Sequence, residues 1–279
     1  LEDVVIETVG SEDDTGDRVY LARLHKAETT IANRLKAMMT MPVIGGTVSG
    51  EQILETVLAK LAVKLSGEQL DVVNDVLMEK AVVITGGPGT GKTTLIRALC
   101  EIYKLMRRKV LLSAPTGRAA RKLSEVTGKK AATLHKILGF DHTSQTFDRN
   151  FSNPLDLDVF IVDEASMVDT LLMAQLVDAL PVTASLILVG DTFQLPSVGP
   201  GNVLADIIGS ARVTVFALTR IFRQAKESPI IRHAHSIRNG EMPVFQKKEG
   251  SELSEFYFIE NHDPKRVAET IIELCAHRI

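Results

Sequence analysis

From residue 80 onward the chain alternates two kinds of apolar pattern. Short, nearly unbroken apolar runs stand at 81–85, 109–113, 158–162, 185–189 and 212–217. Between them, 91–107, 117–126, 167–179 and 199–209 carry helical spacing. A strand that is apolar on both sides is buried on both sides. Strands of that kind joined by helical crossovers predict an α/β fold, a parallel sheet with helices on both faces. Ahead of it, Leu21, Leu24, Ile31, Leu35 and Met38 predict a helix over 20–39, and further helices are expected at 50–64 and 67–79. Residues 1–18 are acidic and polar and read as a turn between short strands. The expected organisation is a small helical lead-in over 1–64, a core over 65–245 and a connecting segment over 246–279. The polar, weakly periodic stretch 139–157 reads as a hairpin inserted into the core. A strand at 254–259 and a helix at 264–277 close the chain.

Composition narrows the picture only a little. Apolar residues make up 45% and charged residues 24%, the range of a water-soluble globular chain. A net charge of −3 does not announce a simple basic nucleic-acid binder, although a local patch is enough for one. The two cysteines, Cys100 and Cys275, lie far apart and form no metal or redox motif, so a reducing, cytoplasmic home is expected. No run approaches the ~18 apolar residues of a membrane span, so no membrane partner is expected. The first residue is Leu and nothing resembles a signal peptide, so the chain reads as part of something longer.

Chemistry enters at the end of the first core strand. Gly86-Gly87-Pro88-Gly89-Thr90-Gly91-Lys92-Thr93-Thr94 follows the run Ala81–Ile84 and precedes a helix. This spacing, in this setting, is a phosphate-binding loop. Glycines let backbone N–H groups wrap a triphosphate, and the helix N-terminus adds partial positive charge. Residues 87–94 are the expected ATP contacts, with Lys92 reaching the β- and γ-phosphates and Thr93 holding Mg²⁺. Downstream, Val159–Val162 ends in Asp163-Glu164. Beside a phosphate loop, Asp163 is placed to hold Mg²⁺ and Glu164 to take a proton from water. The plain alternative is a helix start with Asp163 as N-cap. A third strand end, Gly190-Asp191-Thr192-Phe193-Gln194-Leu195-Pro196, offers Gln194 as a neutral group to sense a γ-phosphate or orient water. Gly-Asp followed by Pro is equally an ordinary turn.

The ordered set resembles the superfamily 1 helicases, and within them the RecD-like helicases related to the exodeoxyribonuclease V alpha subunit. The resemblance rests on Gly86–Thr94, Ala114–Ala120, Thr133-Leu134-His135, Val162–Ser166, Gly190–Pro196 and Leu218–Gln224. It covers roughly residues 65–245. It implies a RecA-like P-loop core, ATP and Mg²⁺ as ligands, single-stranded DNA as the track with 5′-to-3′ movement, and helicase–nuclease subunits as partners, in DNA repair or recombination. It implies DNA contact around Pro115, Thr116, Gly117, Thr133, His135 and Pro196. It implies that Arg223 meets the γ-phosphate, and that Gln69 reads the adenine edge. By spacing, Ser66-Gly67-Glu68-Gln69 is also a capping box.

Bland readings stand beside several of these. His135 fits a buried, backbone-satisfied imidazole as well as a DNA contact. Arg118, Arg121 and Lys122 fit a solvated helix face. In the related helicases a hairpin at the place of 139–154 acts as a strand-separating pin. Phe140, Phe147 and Phe151 could stack on a base there, or pack inward. The family's second RecA-like core and its later motifs are not found before Ile279, so this chain is expected to have weak or no DNA-stimulated ATPase and no unwinding by itself. Other readings are the motor module of a conjugative relaxase, which would need a nuclease domain not seen here, or a non-catalytic ATP-binding subunit.

Overall fold

The computed structural model describes residues 3–11, 14–43, 56–57, 65–220, 228–243 and 255–278. Two compact units are present, Leu1–Ile221 and Phe222–Ile279.

The first unit opens with an antiparallel hairpin, β1 (Val4–Ser11) and β2 (Asp14–Leu21), in which Val4 pairs with Leu21 and Ile6 with Val19. The lead-in therefore holds a hairpin of two eight-residue strands ahead of its helix. That helix, α1 (Ala22–Met39), buries Ala27, Ile31, Leu35 and Met38, a stripe at spacings of three and four. The helix expected at 50–64 lies almost wholly outside the described residues. α2 (Gly67–Val76) begins at the capping box: Ser66 Oγ accepts from Gln69 N, and Gln69 Oε1 accepts from Ser66 N.

The core sheet takes β3 (Ala81–Gly86), β4 (Val110–Ala114), β5 (Ala131–Thr133), β8 (Val159–Val162), β9 (Ser185–Gly190) and β10 (Thr214–Leu218). Their order across the sheet is β10-β3-β9-β8-β4-β5, and every pairing is parallel. β8 and β9 are thus inserted between β3 and β4. The crossovers carry α3 (Lys92–Leu105), α4 (Gly117–Thr127), the single turn α5 (Leu134–Ile137), α6 (Thr170–Ala179) and α7 (Val203–Gly209).

Side-chain alternation sends each strand into two cores. Ala81, Val83, Phe160, Val162, Leu186 and Leu188 pack with α1, α6 and α7 on one face. Val82, Ile84, Val159, Ile161, Ile187 and Val189 pack with α2 and α3 on the other. This two-sided burial is why the strands read as continuous apolar runs. α1 is fastened to its face by Arg34, whose Nε donates to Val177 O at 3.0 Å and whose guanidinium also reaches Leu180 O, at the carboxyl end of α6.

The stretch after α5 forms the expected hairpin, β6 (Phe140–Asp141) and β7 (Thr146–Phe147). Gly139 has φ +68°, and a Cβ there would stand 2.9 Å from Asp148 Cβ, so the hairpin's entry needs glycine.

In the second unit, α8 (Pro229–Arg238) and α9 (Pro264–Arg278) flank residues 255–263, which form no strand despite the expectation at 254–259. His233 of α8 is buried against the Phe256 ring at 4.7 Å. Among the described residues, no helix is long and apolar enough to cross a membrane.

Candidate nucleotide site at the carboxyl edge of the sheet

The carboxyl ends of all six parallel strands carry the residue sets singled out above. The phosphate loop follows β3, Pro115–Gly117 follows β4, and Thr133 ends β5. Asp163-Glu164 follows β8, Asp191–Pro196 follows β9, and Thr219 follows β10. A parallel sheet brings its carboxyl ends to one edge, so the topology gathers motifs scattered between Gly86 and Thr219.

The phosphate loop is built from local rules. Gly89 and Gly91 take φ +76° and +82°, which glycine adopts without strain. Thr90 is buried, and its Oγ1 donates to Gly87 O at 2.9 Å, closing the loop on itself. Gly86 has no room for a side chain: a Cβ would stand 2.8 Å from both Leu218 O and Thr90 Oγ1. Lys92 Nζ donates to Gly86 O at 2.5 Å and Gly87 O at 3.1 Å, so the ammonium lies inside the loop's curve. Pro88, Thr93 and Thr94 are half-buried at the loop and the first turn of α3.

Gln69 sits beneath this loop and is only 1% exposed. Its Nε2 donates to Thr90 O at 3.3 Å and Gly91 O at 3.4 Å, while its Oε1 holds the capping box. Both ends of the amide are therefore engaged by protein, and reading an adenine edge would require it to exchange these partners.

Opposite lies the carboxylate pair. Asp163 N is held by Ser113 O at 2.9 Å, which fixes where β8 ends. Asp163 is pushed up to about 6, first by burial and then by the Glu164 charge beside it. The Glu164 backbone N–H and the charges of Lys92 and Lys122 pull the other way. Glu164 itself has φ +53°, an uncommon conformation for a residue with a side chain, and it is not part of a helix N-cap built by Asp163. Its Oε2 is buried without a hydrogen-bond partner, as is Ser166 Oγ in the 3₁₀ turn that follows. An orphaned carboxylate oxygen next to a raised aspartate is a donor set suited to a divalent cation and a polarised water. The residues present thus fit ATP with Mg²⁺.

Gln194 is exposed in the loop after β9, and Leu195 beside it is 81% exposed. Asp191 at the root of this loop is buried and accepts from Phe193 N at 3.1 Å. Arg223 lies outside the described residues.

The residues expected at DNA share the neighbouring strand ends. Thr116 caps α4 through Ala119 N at 3.2 Å, and Thr133 caps α5 through Lys136 N at 3.3 Å. Capping uses a hydroxyl oxygen as acceptor and leaves its proton to donate. Gly117, His135 and Pro196 are exposed, and Pro115 is half-buried. His135 is not a buried imidazole. It stands in a ring cluster, 5.3 Å from Phe140 and 5.8 Å from Phe147. Phe140 and Phe147 face each other across the hairpin at 4.9 Å, so these two rings pack together. Phe151 is 68% exposed, with the Arg34 guanidinium 5.3 Å above its ring. On α4, Arg121 pairs with Glu125 at 3.1 Å, an ordinary solvated i,i+4 pair.

Two residues of this edge have roles that the sequence reading did not give them. Lys122 sends its charge toward Asp163, and only the folded path of α4 reveals it. Glu68 makes three hydrogen bonds to Thr219 and Arg220, partners far away in sequence.

Residues 69–200 match a family model described as an AAA domain. The chain is 39% identical over 235 residues to the ATP-dependent RecD2 DNA helicase of Deinococcus radiodurans, covering 84% of this chain and 32% of that protein. It is 32% identical over 273 residues to the RecBCD enzyme subunit RecD of Mycobacterium tuberculosis, covering 88% of this chain and 46% of the relative. The chain thus spans less than half of the length of these relatives. Among solved structures it is similar to the Pif1 helicase of Candida albicans, with TM-score 0.51 and 27% identity over 65% of this chain and 45% of that one.

Proposed function

We propose that this chain, which belongs to the RecD-like family of superfamily 1 helicases, is the ATP-hydrolysing core of a motor that moves 5′-to-3′ along single-stranded DNA. The observation that carries the reading is Glu164. Its buried oxygen without a partner lies next to an aspartate that burial and like charge hold near pKa 6, within the electrostatic reach of Lys92.

Each residue has a task in this reading. The backbone N–H groups of 87–91 cradle the phosphates, and Lys92 leaves Gly86 O and Gly87 O to meet the β- and γ-phosphates. Thr93 Oγ1 and Asp163 are the protein groups that would hold Mg²⁺, which when bound neutralises phosphate charge. Glu164 Oε2 accepts the proton of the attacking water, and its buried setting holds the carboxylate in one orientation. Gln194 donates to or orients that water. Arg223, by resemblance, meets the charge that develops on the γ-phosphate. Gln69 supports the loop from below, and contact with adenine follows if ATP draws its amide away.

The neighbouring strand ends supply the DNA contacts. Thr116, Thr133 and the amides near Gly117 suit phosphate oxygens, His135 suits a phosphate or a base, and Pro196 carries the loop that also bears Gln194. Assembly with helicase–nuclease subunits follows the printed name of the mycobacterial relative and is part of the proposal.

Lys92→Ala should lower DNA-stimulated ATPase by at least about 100-fold while DNA binding persists. Normal turnover in that variant would sink the assignment. The 279-residue chain alone should not unwind a forked duplex, and robust unwinding by it would contradict the need for a second core.

A further inference from the structure

Glu68 has no part in the mechanism above, yet both of its carboxylate oxygens are engaged by a distant segment. The pairing of β10 with β3 ends at Leu218, opposite Gly86 where the phosphate loop begins. The next two amides, Thr219 N and Arg220 N, lie beyond that ladder. Glu68 takes both. Its Oε1 accepts from Thr219 N and from Thr219 Oγ1, each at 2.9 Å, and its Oε2 accepts from Arg220 N at 3.2 Å. An acidic residue in a first helical turn commonly faces water and serves the helix dipole. Thr219 and Arg220 are themselves exposed, so water could have satisfied their amides instead. Burial alone would raise the Glu68 carboxyl's pKa, but the Thr219 and Arg220 hydrogen bonds and the Arg220 charge outweigh it and lower it. The group is therefore ionised at neutral pH, and its bonds are of the stronger, charge-assisted kind.

The next residue, Gln69, works on the phosphate loop itself. Its Nε2 donates to Thr90 O at 3.3 Å and to Gly91 O at 3.4 Å, at the end of the loop away from Gly86. A closed circuit results. It runs from the Gly86–Leu218 pair to Thr219, across Glu68 to Gln69, and through Gly91 back along the loop to Gly86. The start of the circuit has no slack, because a Gly86 Cβ would stand 2.8 Å from both Leu218 O and Thr90 Oγ1. The Gln69 bonds are long and join neutral groups, so by themselves they hold the loop weakly. They fix its shape only if the turn that carries Gln69 is fixed too. Val72, Val73 and Val76 bury the later part of α2, and the capping box ties Ser66 only to Gln69. The tie from this first turn to the exit of β10 is Glu68.

We propose that Glu68 is a positioning residue for the phosphate loop: it fixes the first turn of α2 on the exit of β10, so that Gln69 holds Thr90 O and Gly91 O and keeps the loop shaped for phosphate. The inference rests on the reading of Gly86–Thr94 as an ATP phosphate loop. It goes beyond that reading by making the loop's shape depend on a carboxylate whose oxygens are already spent on another segment. The path ends on the loop's backbone and not on a base. Its effect is therefore shared by ADP, by an ATP analogue and by inorganic tripolyphosphate, which has no base at all.

The test is a calorimetric titration of the 279-residue chain with ADP, with the non-hydrolysable analogue AMP-PNP and with tripolyphosphate, each with Mg²⁺. The variants are Glu68→Ala, Glu68→Gln, Thr219→Val, Gln69→Ala, the Glu68→Ala/Gln69→Ala double and Lys92→Ala. Hydrogen exchange at the loop amides 89–91 and along α6 is measured alongside. Glu68→Ala should weaken all three ligands by about fivefold, the worth of one hydrogen bond, and should speed exchange at 89–91 while leaving α6 unchanged. Glu68→Gln keeps an acceptor and Thr219→Val removes one of three donors, so each should lose less. The double variant should bind no more weakly than Gln69→Ala, because the two side chains act along one path. A loss confined to ADP and AMP-PNP, with tripolyphosphate unchanged, would place Glu68 on the side of the base and overturn the proposal. A Glu68→Ala effect that persists in full on top of Gln69→Ala also overturns it, as does faster exchange in α6 together with the loop, the mark of a loosened fold. If Glu68→Ala binds as tightly as the unmodified chain while Lys92→Ala loses binding, the proposal falls and the phosphate-loop reading stands. If Lys92→Ala binds all three ligands normally, that reading fails and takes the proposal with it. Should Glu68→Ala not fold, the same titrations and exchange on Glu68→Gln and Thr219→Val decide.

Discussion

At the amino ends of the core strands Lys80, Lys109 and Asp158 each have a partner, although burial and the Arg108 charge together lower the Lys80 pKa. Lys80, almost fully buried before β3, donates through Nζ to Thr183 O at 2.6 Å. Asp158, before β8, accepts from Lys109 N at 2.7 Å and pairs with Arg108 at 3.8 Å. Lys109 Nζ reaches Asp156 at 2.7 Å. At the carboxyl ends of the same strands the pattern reverses. Asp163 and Glu164 stand side by side with like charge, Glu164 takes a left-handed backbone, and two buried oxygens have no partner. Both ends belong to one sheet with one apolar core on each face, so packing does not explain the contrast. The amino end is finished as a folded structure. In the reading proposed above, the carboxyl end is where a divalent cation and phosphates bind, and the left-handed backbone at Glu164 is strain held at that site.

The contrast can be broken most sharply at Glu164. Glu164→Gln should cut ATP turnover by about 100-fold or more while leaving nucleotide affinity nearly unchanged, because it removes the proton acceptor and keeps the shape. Single-turnover hydrolysis beside a binding titration checks this, and parallel loss of both would place Glu164 in binding instead. Asp163→Asn comes next. An aspartate whose pKa is raised in the folded chain binds its proton more tightly there than when unfolded. Its charge therefore costs nothing well below pH 4, and costs stability progressively up to about pH 6 and fully above it. Without metal, Asp163→Asn should be the more stable protein at pH 7.5, by on the order of 1–3 kcal/mol, with the gap closing toward pH 4. Thermal melts across that range measure it, and a gap independent of pH would deny the burial of charge at this end.

At the opposite end, Lys80→Met should destabilise the chain by about 1 kcal/mol through the lost bond to Thr183 O, with nucleotide affinity untouched. A change in affinity would mean that the two ends communicate. The smallest effect is expected for Arg121→Ala on α4. Loss of its exposed pair with Glu125 should change stability by less than about 0.5 kcal/mol, as judged by denaturant midpoint.

The core strands were legible because each is apolar on both sides, and Gly86–Thr94 was legible because its chemistry is local. β5 was not legible: three half-buried residues at the sheet edge leave no run to see. The first hairpin was legible as a turn between strands, and only its strand length was not, because apolar residues alternate there with charges and threonines. For Gln69, the capping box is written in four consecutive residues, whereas its grip on Thr90 and Gly91 spans about twenty residues and appears only when the chain folds. Glu68 shows the same limit at greater distance, since no local pattern points to Thr219. Phe140 and Phe147 were recognised as aromatic, but only the cross-strand register turns them toward each other and His135.

The central claim is that the carboxyl edge is a nucleotide site completed by a divalent cation. It is tested most directly by titrating a fluorescent ATP analogue onto the 279-residue chain with and without Mg²⁺. The account predicts saturable binding that tightens with Mg²⁺, loses that tightening in Asp163→Asn and disappears in Lys92→Ala. Binding that is equally strong in Lys92→Ala, or that ignores Mg²⁺ in the unmodified chain, would contradict it.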